Sequence, residues 1–255
     1  MLFPIRKKKK YTYVEEGEGH PIVLLHGLMG GLSNFDTVLS HFSKKGYRVI
    51  IPELPLFTST ILTNNLSVFS KFVKTFLDDI GVENATVIGN SLGGHITLIM
   101  ALQYPEKVHS FCLTGSSGLY ETSFGETYPH KGDYEYVKRK SREIFYDPEI
   151  GTKEVVDEVY NTLNDRAKAL KILYIARAAM RHNMANDLPN IKQPALILWG
   201  KQDPVTPPDV AIEFSEKLPN AELVWIDKCG HAAMMEHPDL FNQHIEEWLN
   251  KVVKK

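Results

Sequence analysis

The stretch Gly89-Asn90-Ser91-Leu92-Gly93 decides the fold of this chain. It lies between a short apolar run at 85–88, typical of a buried strand, and a segment at 92–102 whose apolar residues fit a helix. In such a strand-to-helix turn the serine side chain is lifted clear of the backbone, and the flanking glycines are needed because larger side chains would collide. The stretch therefore predicts Ser91 as a nucleophile at the carboxyl end of a buried strand.

The alternation of strand and helix continues on both sides of this turn. Strands are predicted at 11–14, 21–25, 47–51, 85–88, 108–114, 195–199 and 222–226. Helices are predicted at 33–46 with Ser33 as the N-cap, at 66–80, 92–102 and 210–218, and through Phe241 and Trp248 near the end. This order predicts an α/β fold with a mostly parallel sheet and helices on both faces.

The segment from 119 to 190 differs from the rest because it is rich in charges and helix formers and contains no convincing strand. Amphipathic helices are predicted at 154–163 and 166–180. We expect a helical lid, inserted into a core made of residues 1–118 and 191–255. An insertion between strands emerges at the sheet edge where ligands of open α/β folds bind, so the lid is expected to roof the substrate pocket.

A serine hydroxyl is a weak nucleophile, so Ser91 needs a general base and an acid that orients this base. Where this type of turn is catalytic, the acid and then the histidine follow it in the chain. Asp203 follows the predicted strand at 195–199, and His231 follows the next one, so we predict the triad Ser91, Asp203 and His231. Asp227 is the weaker candidate for the acid because it fits a surface turn. His95 and His109 are predicted to be structural, and His237 is predicted to begin the last helix.

The oxyanion of a tetrahedral intermediate needs preorganised donors. The backbone N–H of Leu92, directly after the nucleophile, is the first candidate. The second is the N–H of Leu28, preferred over that of Met29, in the Gly-rich loop 26–31 that follows an early buried strand.

Composition limits the remaining possibilities. The chain has 255 residues, 43% hydrophobic composition, a net charge of -2 and two cysteines. We expect one domain with a small-molecule partner, no nucleic acid or membrane partner, no cofactor or metal, and a cytoplasmic location. The basic run Arg6–Lys10 is interpreted as the exposed approach to a first edge strand at 11–14.

These features together resemble the α/β-hydrolase superfamily over nearly the whole chain. The matching pieces are His26-Gly27, the turn at 89–94, Trp199-Gly200 with Asp203, and Gly230-His231. The resemblance implies an eight-stranded sheet, a helical cap after the sixth strand, and hydrolysis of an ester or related bond through an acyl-enzyme. The serine at position 91 separates the chain from haloalkane dehalogenases and epoxide hydrolases, which use an aspartate there.

Part of the chain is also similar to the hydrolases that cleave carbon–carbon bonds in ring-fission products of aromatic degradation. The similar pieces are Asn90, the stretches 145–148 and 155–160, Cys229-Gly230-His231, and Glu236-His237. Members of that group usually carry a tryptophan after the histidine, where this chain has Ala232, and a longer Gly-Pro-rich early loop, where it has Leu28-Met29. Their lid arginine corresponds to either Arg177 or Arg181.

The main functional prediction is therefore a carboxylesterase-like serine hydrolase acting on a small ester. Two alternatives stay open: a carbon–carbon bond hydrolase, and a ligand receptor that retains the triad. Several apolar residues favour a hydrophobic acyl or aromatic group on the substrate: Leu170, Leu173, Tyr174, Met180, Met234 and Met235. Oligomeric state is not predicted.

Overall fold

A computed structural model describes residues 3–58, 65–122 and 132–253. They form one eight-stranded sheet in the order β1-β2-β4-β3-β5-β6-β7-β8. The strands are β1 Arg6–Lys8, β2 Tyr11–Glu16, β3 His20–Leu25, β4 Tyr47–Pro52, β5 Ala85–Asn90, β6 Val108–Thr114, β7 Ala195–Gly200 and β8 Ala221–Ile226. Only β1 with β2 and β2 with β4 pair in antiparallel fashion, and all other pairs are parallel. The predicted α/β fold with a mostly parallel eight-stranded sheet is confirmed.

Helices cover both faces of this sheet. The α-helices are α1 Asp36–Ser43, α2 Ser67–Asp79, α3 Leu92–Gln103, α4 Tyr134–Arg142, α5 Lys153–Asn164, α6 Arg166–Arg181, α7 Pro208–Lys217, α8 Ala233–Glu236 and α9 Pro238–Val252. Residues of α2, α3 and α7 belong to one buried cluster, and residues of α1, α8 and α9 belong to a second. The sheet separates the two clusters.

Alternating side chains of the central strands fill the two clusters. In β3, Val23 and Leu25 lie in the first cluster, whereas Ile22 and Leu24 lie in the second. This follows from the pleat, which points successive side chains to opposite faces. A strand buried on both faces must be apolar throughout, which is why such short apolar runs predict the sheet.

The N-terminal basic run differs from its predicted role. Arg6–Lys8 is itself the edge strand β1, fully exposed and paired in a hairpin with β2, and Lys9 has a positive φ of 54° in the turn. The interpretation as an approach to an edge strand is therefore wrong. An edge strand with water on both sides accepts charged residues at every position, so it shows no apolar alternation to detect.

Two element boundaries also differ from the predictions. The predicted N-cap at Ser33 is wrong, because a 3-10 turn occupies Leu32–Phe35 and α1 begins only at Asp36. Strand β5 extends to Asn90, since its parallel pairing with β6 continues through Gly89.

Between β6 and β7 the described residues form the helices α4, α5 and α6, of which α4 was not predicted individually. Among the described residues, no helix is both long and apolar enough to cross a membrane.

Candidate active site

Ser91 has a strained backbone at the junction of β5 and α3. Its φ and ψ angles are 55° and -120°, a positive φ that a non-glycine residue seldom adopts. Its carbonyl oxygen accepts hydrogen bonds from the backbone N–H groups of Gly94 and His95, at 3.0 and 3.2 Å. The helix therefore begins immediately at the serine, which holds the strained turn in place.

The glycines of this turn are required by close packing. A Cβ atom on Gly93 would lie 2.0 Å from the carbonyl oxygen of Leu25, at the end of β3. A Cβ atom on Gly89 would lie 2.4 Å from the carbonyl oxygen of Gly93. The first turn of α3 can thus sit against the strand ends only if these positions carry no side chain.

Asp203 and His231 form a buried pair, with exposed fractions of 3% and 7%. His231 Nδ1 lies 2.9 Å from Asp203 Oδ2 and 3.1 Å from Oδ1. The same carboxylate accepts the backbone N–H groups of Val205 and Thr206 at 2.8 and 3.0 Å, and the Thr206 hydroxyl at 2.9 Å. An ionised carboxylate can only accept hydrogen bonds, so Nδ1 of His231 must carry the proton. In the neutral ring the lone pair is then on Nε2.

The electrostatics of His231 reflect two opposing effects. Burial lowers its pKa, but the negative charge of Asp203, their hydrogen bond and the charge of Glu121 together raise the pKa above the usual 6.5. The net result is an imidazole that holds a proton more readily than an isolated histidine does. Such a group is suited to accept a proton from a hydroxyl and then to pass it on.

The Asn90 amide connects the serine turn to the histidine loop. Its Nδ2 donates to the carbonyl oxygens of Thr114 at 3.0 Å and His231 at 3.1 Å. A Cβ atom on Gly115 would come within 2.8 Å of His231 Nδ1, so the imidazole packs directly against this backbone. Asn90 therefore fastens the loop of His231 beside Ser91.

The early loop lies against the serine. A Cβ atom on Gly27 would be 3.2 Å from Ser91 Cβ. His26 fixes the entry to this loop: its Nδ1 lies 2.9 Å from the Gly27 carbonyl oxygen, and its Nε2 accepts the N–H of Leu54 at 3.2 Å. Burial lowers the pKa of His26, which keeps the ring neutral as this pair of bonds requires.

The two predicted oxyanion donors belong to the two segments that meet at Ser91, the early loop and the start of α3. Leu28 follows Gly27 in this loop and is partly buried against the core. Leu92 is the first residue of α3, where a backbone N–H has no acceptor within the helix. Its predicted role as an oxyanion donor stays a prediction.

The other acid and histidine candidates lie elsewhere. The side chain of Asp227 is 63% exposed and lies 3.7 Å from Lys201 Nζ. His95 Nε2 lies 2.8 Å from His182 Nδ1, and His109 and His237 bond to backbone carbonyl groups. Among the described residues no group of three or more His, Cys, Asp or Glu side chains is arranged to hold a metal ion.

Glu236 is a site residue to which the sequence alone assigns no role. Its Oε2 accepts the N–H of Gly230 at 2.6 Å, and its Oε1 accepts the N–H of Asp147 at 2.6 Å. The N–H of His231 also donates to the carbonyl oxygen of Ile144 at 2.8 Å. The segment after α4 is therefore bound to the histidine loop. The only sequence signal was the Glu236-His237 pair, which carries no information on partners.

Two further polar residues were missed, Thr206 and Glu121. The hydroxyl of Thr206 bonds to Asp203, and it lies 3.4 Å from His231 Nδ1. The charge of Glu121 acts on His231. Neither residue belongs to a motif, so nothing in the sequence singles them out.

Four of the six apolar residues proposed to line a pocket divide into two groups, and the other two, Leu173 and Met235, are partly buried. Met234 is fully buried in the cluster with α1 and α9, so it is a packing residue. Leu170, Tyr174 and Met180 on α6 have large exposed fractions. Cys229 is buried, and burial raises the pKa of its thiol, which keeps it protonated and unreactive.

Comparison with known proteins identifies relatives of this architecture. The family model described as the alpha/beta hydrolase fold matches residues 20–139 and 158–238. The internal unmatched stretch, 140–157, runs from the last residues of α4 into the start of α5, whereas the serine turn, Asp203 and His231 lie within the match.

Three relatives illustrate the similarity. The 2-hydroxy-6-oxononadienedioate/2-hydroxy-6-oxononatrienedioate hydrolase of Paraburkholderia phymatum is 31% identical over 94% of this chain and 90% of its own length. The 2-hydroxy-6-oxo-6-phenylhexa-2,4-dienoate hydrolase of Burkholderia cepacia is 28% identical over 90% of this chain and 87% of its own. The crystal structure of MGS-MChE2, an alpha/beta hydrolase enzyme from the metagenome of lagoon sediments of Mar Chica, Morocco, superposes with a TM-score of 0.81. It is 49% identical and covers 97% of this chain and 98% of its own.

Proposed function

The chain belongs to the alpha/beta hydrolase fold family and is a hydrolase, and on that premise we propose that it works through the triad Ser91, Asp203 and His231. The observation that carries this proposal is the buried hydrogen bond between Asp203 and His231, beside a serine in a strained turn. Sequence relatives named as hydrolases favour an enzyme over the receptor alternative.

In the proposed mechanism, His231 Nε2 takes the proton of the Ser91 hydroxyl as its oxygen attacks a carbonyl carbon. Asp203 keeps the imidazole in the right tautomer and stabilises the imidazolium. The N–H groups of Leu28 and Leu92 bind the oxyanion. The imidazolium then gives its proton to the leaving group, and a water molecule, activated by the same histidine, releases the acid and restores Ser91.

We propose as first candidate substrate a ring-fission product with a keto group, cleaved at the carbon–carbon bond beside that keto carbon. The support comes from the two relatives named as hydrolases of 2-hydroxy-6-oxo dienoates. In this reaction the keto carbon becomes a carboxylate and the leaving carbon takes a proton. His231 is suited to supply this proton, because the charge of Asp203 stabilises the protonated ring and so raises its pKa.

Ester hydrolysis is the second candidate, and the residue after the histidine favours it. Ala232 is buried and small, where the ring-fission hydrolases that the sequence resembles usually carry tryptophan. The chemistry uses the same groups, with an alcohol oxygen instead of a carbon as the leaving atom.

We further propose that residues 119–122 and 132–190 belong to a lid over this site; the rest of the predicted lid, 123–131, lies outside the described residues. Contacts near its C-terminal end and near its middle support this. The N–H of Met184 donates to the Gly118 carbonyl at 2.8 Å, and His182 bonds to His95 on α3. Nearer the middle of the segment, the N–H of Asp147 donates to Glu236. A lid fixed at these points would cover the carboxyl ends of β5 and β6, where Ser91 lies.

The test compares both substrate classes on one preparation. The disappearance of 2-hydroxy-6-oxo-6-phenylhexa-2,4-dienoate is followed by its absorbance, and p-nitrophenyl butyrate hydrolysis is followed in parallel, for the wild type and Ser91→Ala. We expect a higher kcat/KM for the dienoate, with both activities lost in the variant. Turnover of the ester alone would select the second candidate. Full activity of Ser91→Ala would overturn the triad.

A further inference from the structure

A second carboxyl group lies at the proposed triad. Glu121 belongs to the loop that follows β6, and this loop runs from the nucleophile to the acid. At one end, the N–H of Ser117 donates to the carbonyl oxygen of Ser91 at 3.2 Å. At the other, the N–H of Thr122 donates to the carbonyl oxygen of Val205 at 2.8 Å. Glu121 is therefore held between the strained turn and the loop of Asp203.

The Glu121 carboxyl is incompletely satisfied. Its Oε1 is buried and has no hydrogen-bond partner among the residues that the structure describes. Burial raises the pKa of this carboxyl. The charge of His231 and a hydrogen bond from the Ser117 hydroxyl lower it by less, so the net pKa is raised. A buried acceptor without a partner is costly, and native proteins keep few of them. No hydrogen bond within the described part of the chain offsets this cost at Oε1.

We propose that Glu121 is a substrate-binding residue whose carboxyl group holds a hydroxyl of the substrate near the bond that is cleaved. This inference rests on the proposed function, since it places the hydroxyl beside the carbonyl that Ser91 attacks. The bond from Thr122 to Val205 puts Glu121 one residue from the Asp203 loop, and the bond from Ser117 to Ser91 puts it four residues from the nucleophile turn.

A hydroxyl suits this carboxyl better than the alternatives. It donates to the ionised form and accepts from the protonated form, so it is bound in either protonation state. A substrate carboxylate at the same place would meet a like charge whenever Glu121 is ionised, and an apolar group would leave Oε1 unpaired.

The test uses two matched pairs of esters that differ by one hydroxyl. The first pair is p-nitrophenyl butyrate and p-nitrophenyl 3-hydroxybutyrate, with the hydroxyl on the acyl side. The second pair is ethyl butyrate and 2-hydroxyethyl butyrate, with the hydroxyl on the leaving group. We expect the wild type to favour the hydroxylated member of at least one pair by about tenfold in kcat/KM, equivalent to about 1.4 kcal/mol. Equal kcat/KM values within both pairs would overturn the proposal without any variant.

Two substitutions then assign the preference to Glu121. Glu121→Leu removes both hydrogen-bonding atoms at similar size. It should bring the hydroxyl ratio, kcat/KM of the hydroxylated ester divided by kcat/KM of the plain ester, to about 1, mainly by raising KM for the hydroxylated ester. Glu121→Gln keeps an oxygen acceptor and an N–H donor without the charge, and it should retain most of the preference. A preference that survives in Glu121→Leu would show that the carboxyl does not touch the hydroxyl.

The failures of the two proposals are distinguishable. If the plain ester and the dienoate are not hydrolysed, or if Ser91→Ala hydrolyses them, the proposed function is wrong. If turnover depends on Ser91 and the hydroxyl ratio is the same in the wild type and Glu121→Leu, only the role of Glu121 is wrong. If Glu121 acts only through His231, its replacement should shift the pH profile equally for both members of a pair and leave the hydroxyl ratio unchanged. That result would overturn the role of Glu121 in binding the hydroxyl.

Discussion

The carboxylate of Glu236 accepts the backbone N–H of Gly230, the residue before His231, at 2.6 Å. Its other oxygen accepts the N–H of Asp147, in the segment between α4 and α5. One buried side chain thus holds the histidine loop and the proposed lid together. The position of His231 is therefore linked to the position of the proposed lid.

Glu236→Gln should weaken this link, because an amide has one acceptor oxygen and would turn its NH2 group toward a backbone N–H. We expect the free energy of unfolding to fall by about 1–3 kcal/mol. We also expect kcat to fall while the fraction of protein labelled at Ser91 by a fluorophosphonate stays the same. Chemical denaturation and ester kinetics measure both. The control is Glu143→Gln, an exposed lid carboxylate paired with Lys140, for which we expect a change below about 0.5 kcal/mol. Equal effects of the two changes would contradict the proposed link.

The backbone of Ser91 should be measurably strained. Ser91→Gly and Ser91→Ala both remove the hydroxyl, but only glycine adopts a φ of 55° without steric cost. Strain of about 1–3 kcal/mol, partly offset by the greater freedom of glycine in the unfolded chain, predicts that Ser91→Gly is about 1 kcal/mol more stable than Ser91→Ala. Thermal or denaturant unfolding of the two variants gives the difference. Higher stability of the alanine variant would argue against strain at this residue.

Asp203 and Asp227 provide a matched pair for the acid. Asp203→Asn should lower kcat by about 10³–10⁴, because the amide no longer fixes the imidazole tautomer or stabilises the imidazolium. Asp227→Asn should leave kcat unchanged, since this side chain is exposed and contacts Lys201. Steady-state kinetics on one ester decide the question. A larger loss at Asp227 would reverse the assignment of the acid.

The pH dependence of kcat/KM should report His231. The reaction needs the neutral imidazole, so activity should rise with pH and reach half its plateau at a pH above 6.5, because Asp203 and Glu121 raise the pKa of the ring. Glu121→Gln removes one negative charge, which should move this midpoint to lower pH. Glu143→Gln serves again as the control and should not move it. A wild-type midpoint below 6.5 would contradict the electrostatic account of the site.

Much of the fold could be predicted from local patterns in the sequence. The short apolar run at β3 and the serine turn after β5 identify strands that are buried on both faces and the point where the chain reverses into a helix. These patterns are reliable because burial and the pleat act on consecutive residues. Strand β1 was missed because an exposed edge imposes no such pattern.

The sequence by itself determined the class of fold, the serine turn, and the order in which an acid and a histidine follow it. Only the tertiary structure decided that the Asp203 carboxylate contacts His231 while Asp227 faces solvent, that Glu236 links two distant segments, and that Glu121 keeps a buried oxygen unpaired. The physical reason is that these contacts join residues far apart in the chain. They depend on where neighbouring strands end and on the direction of each side chain there, which no local spacing encodes.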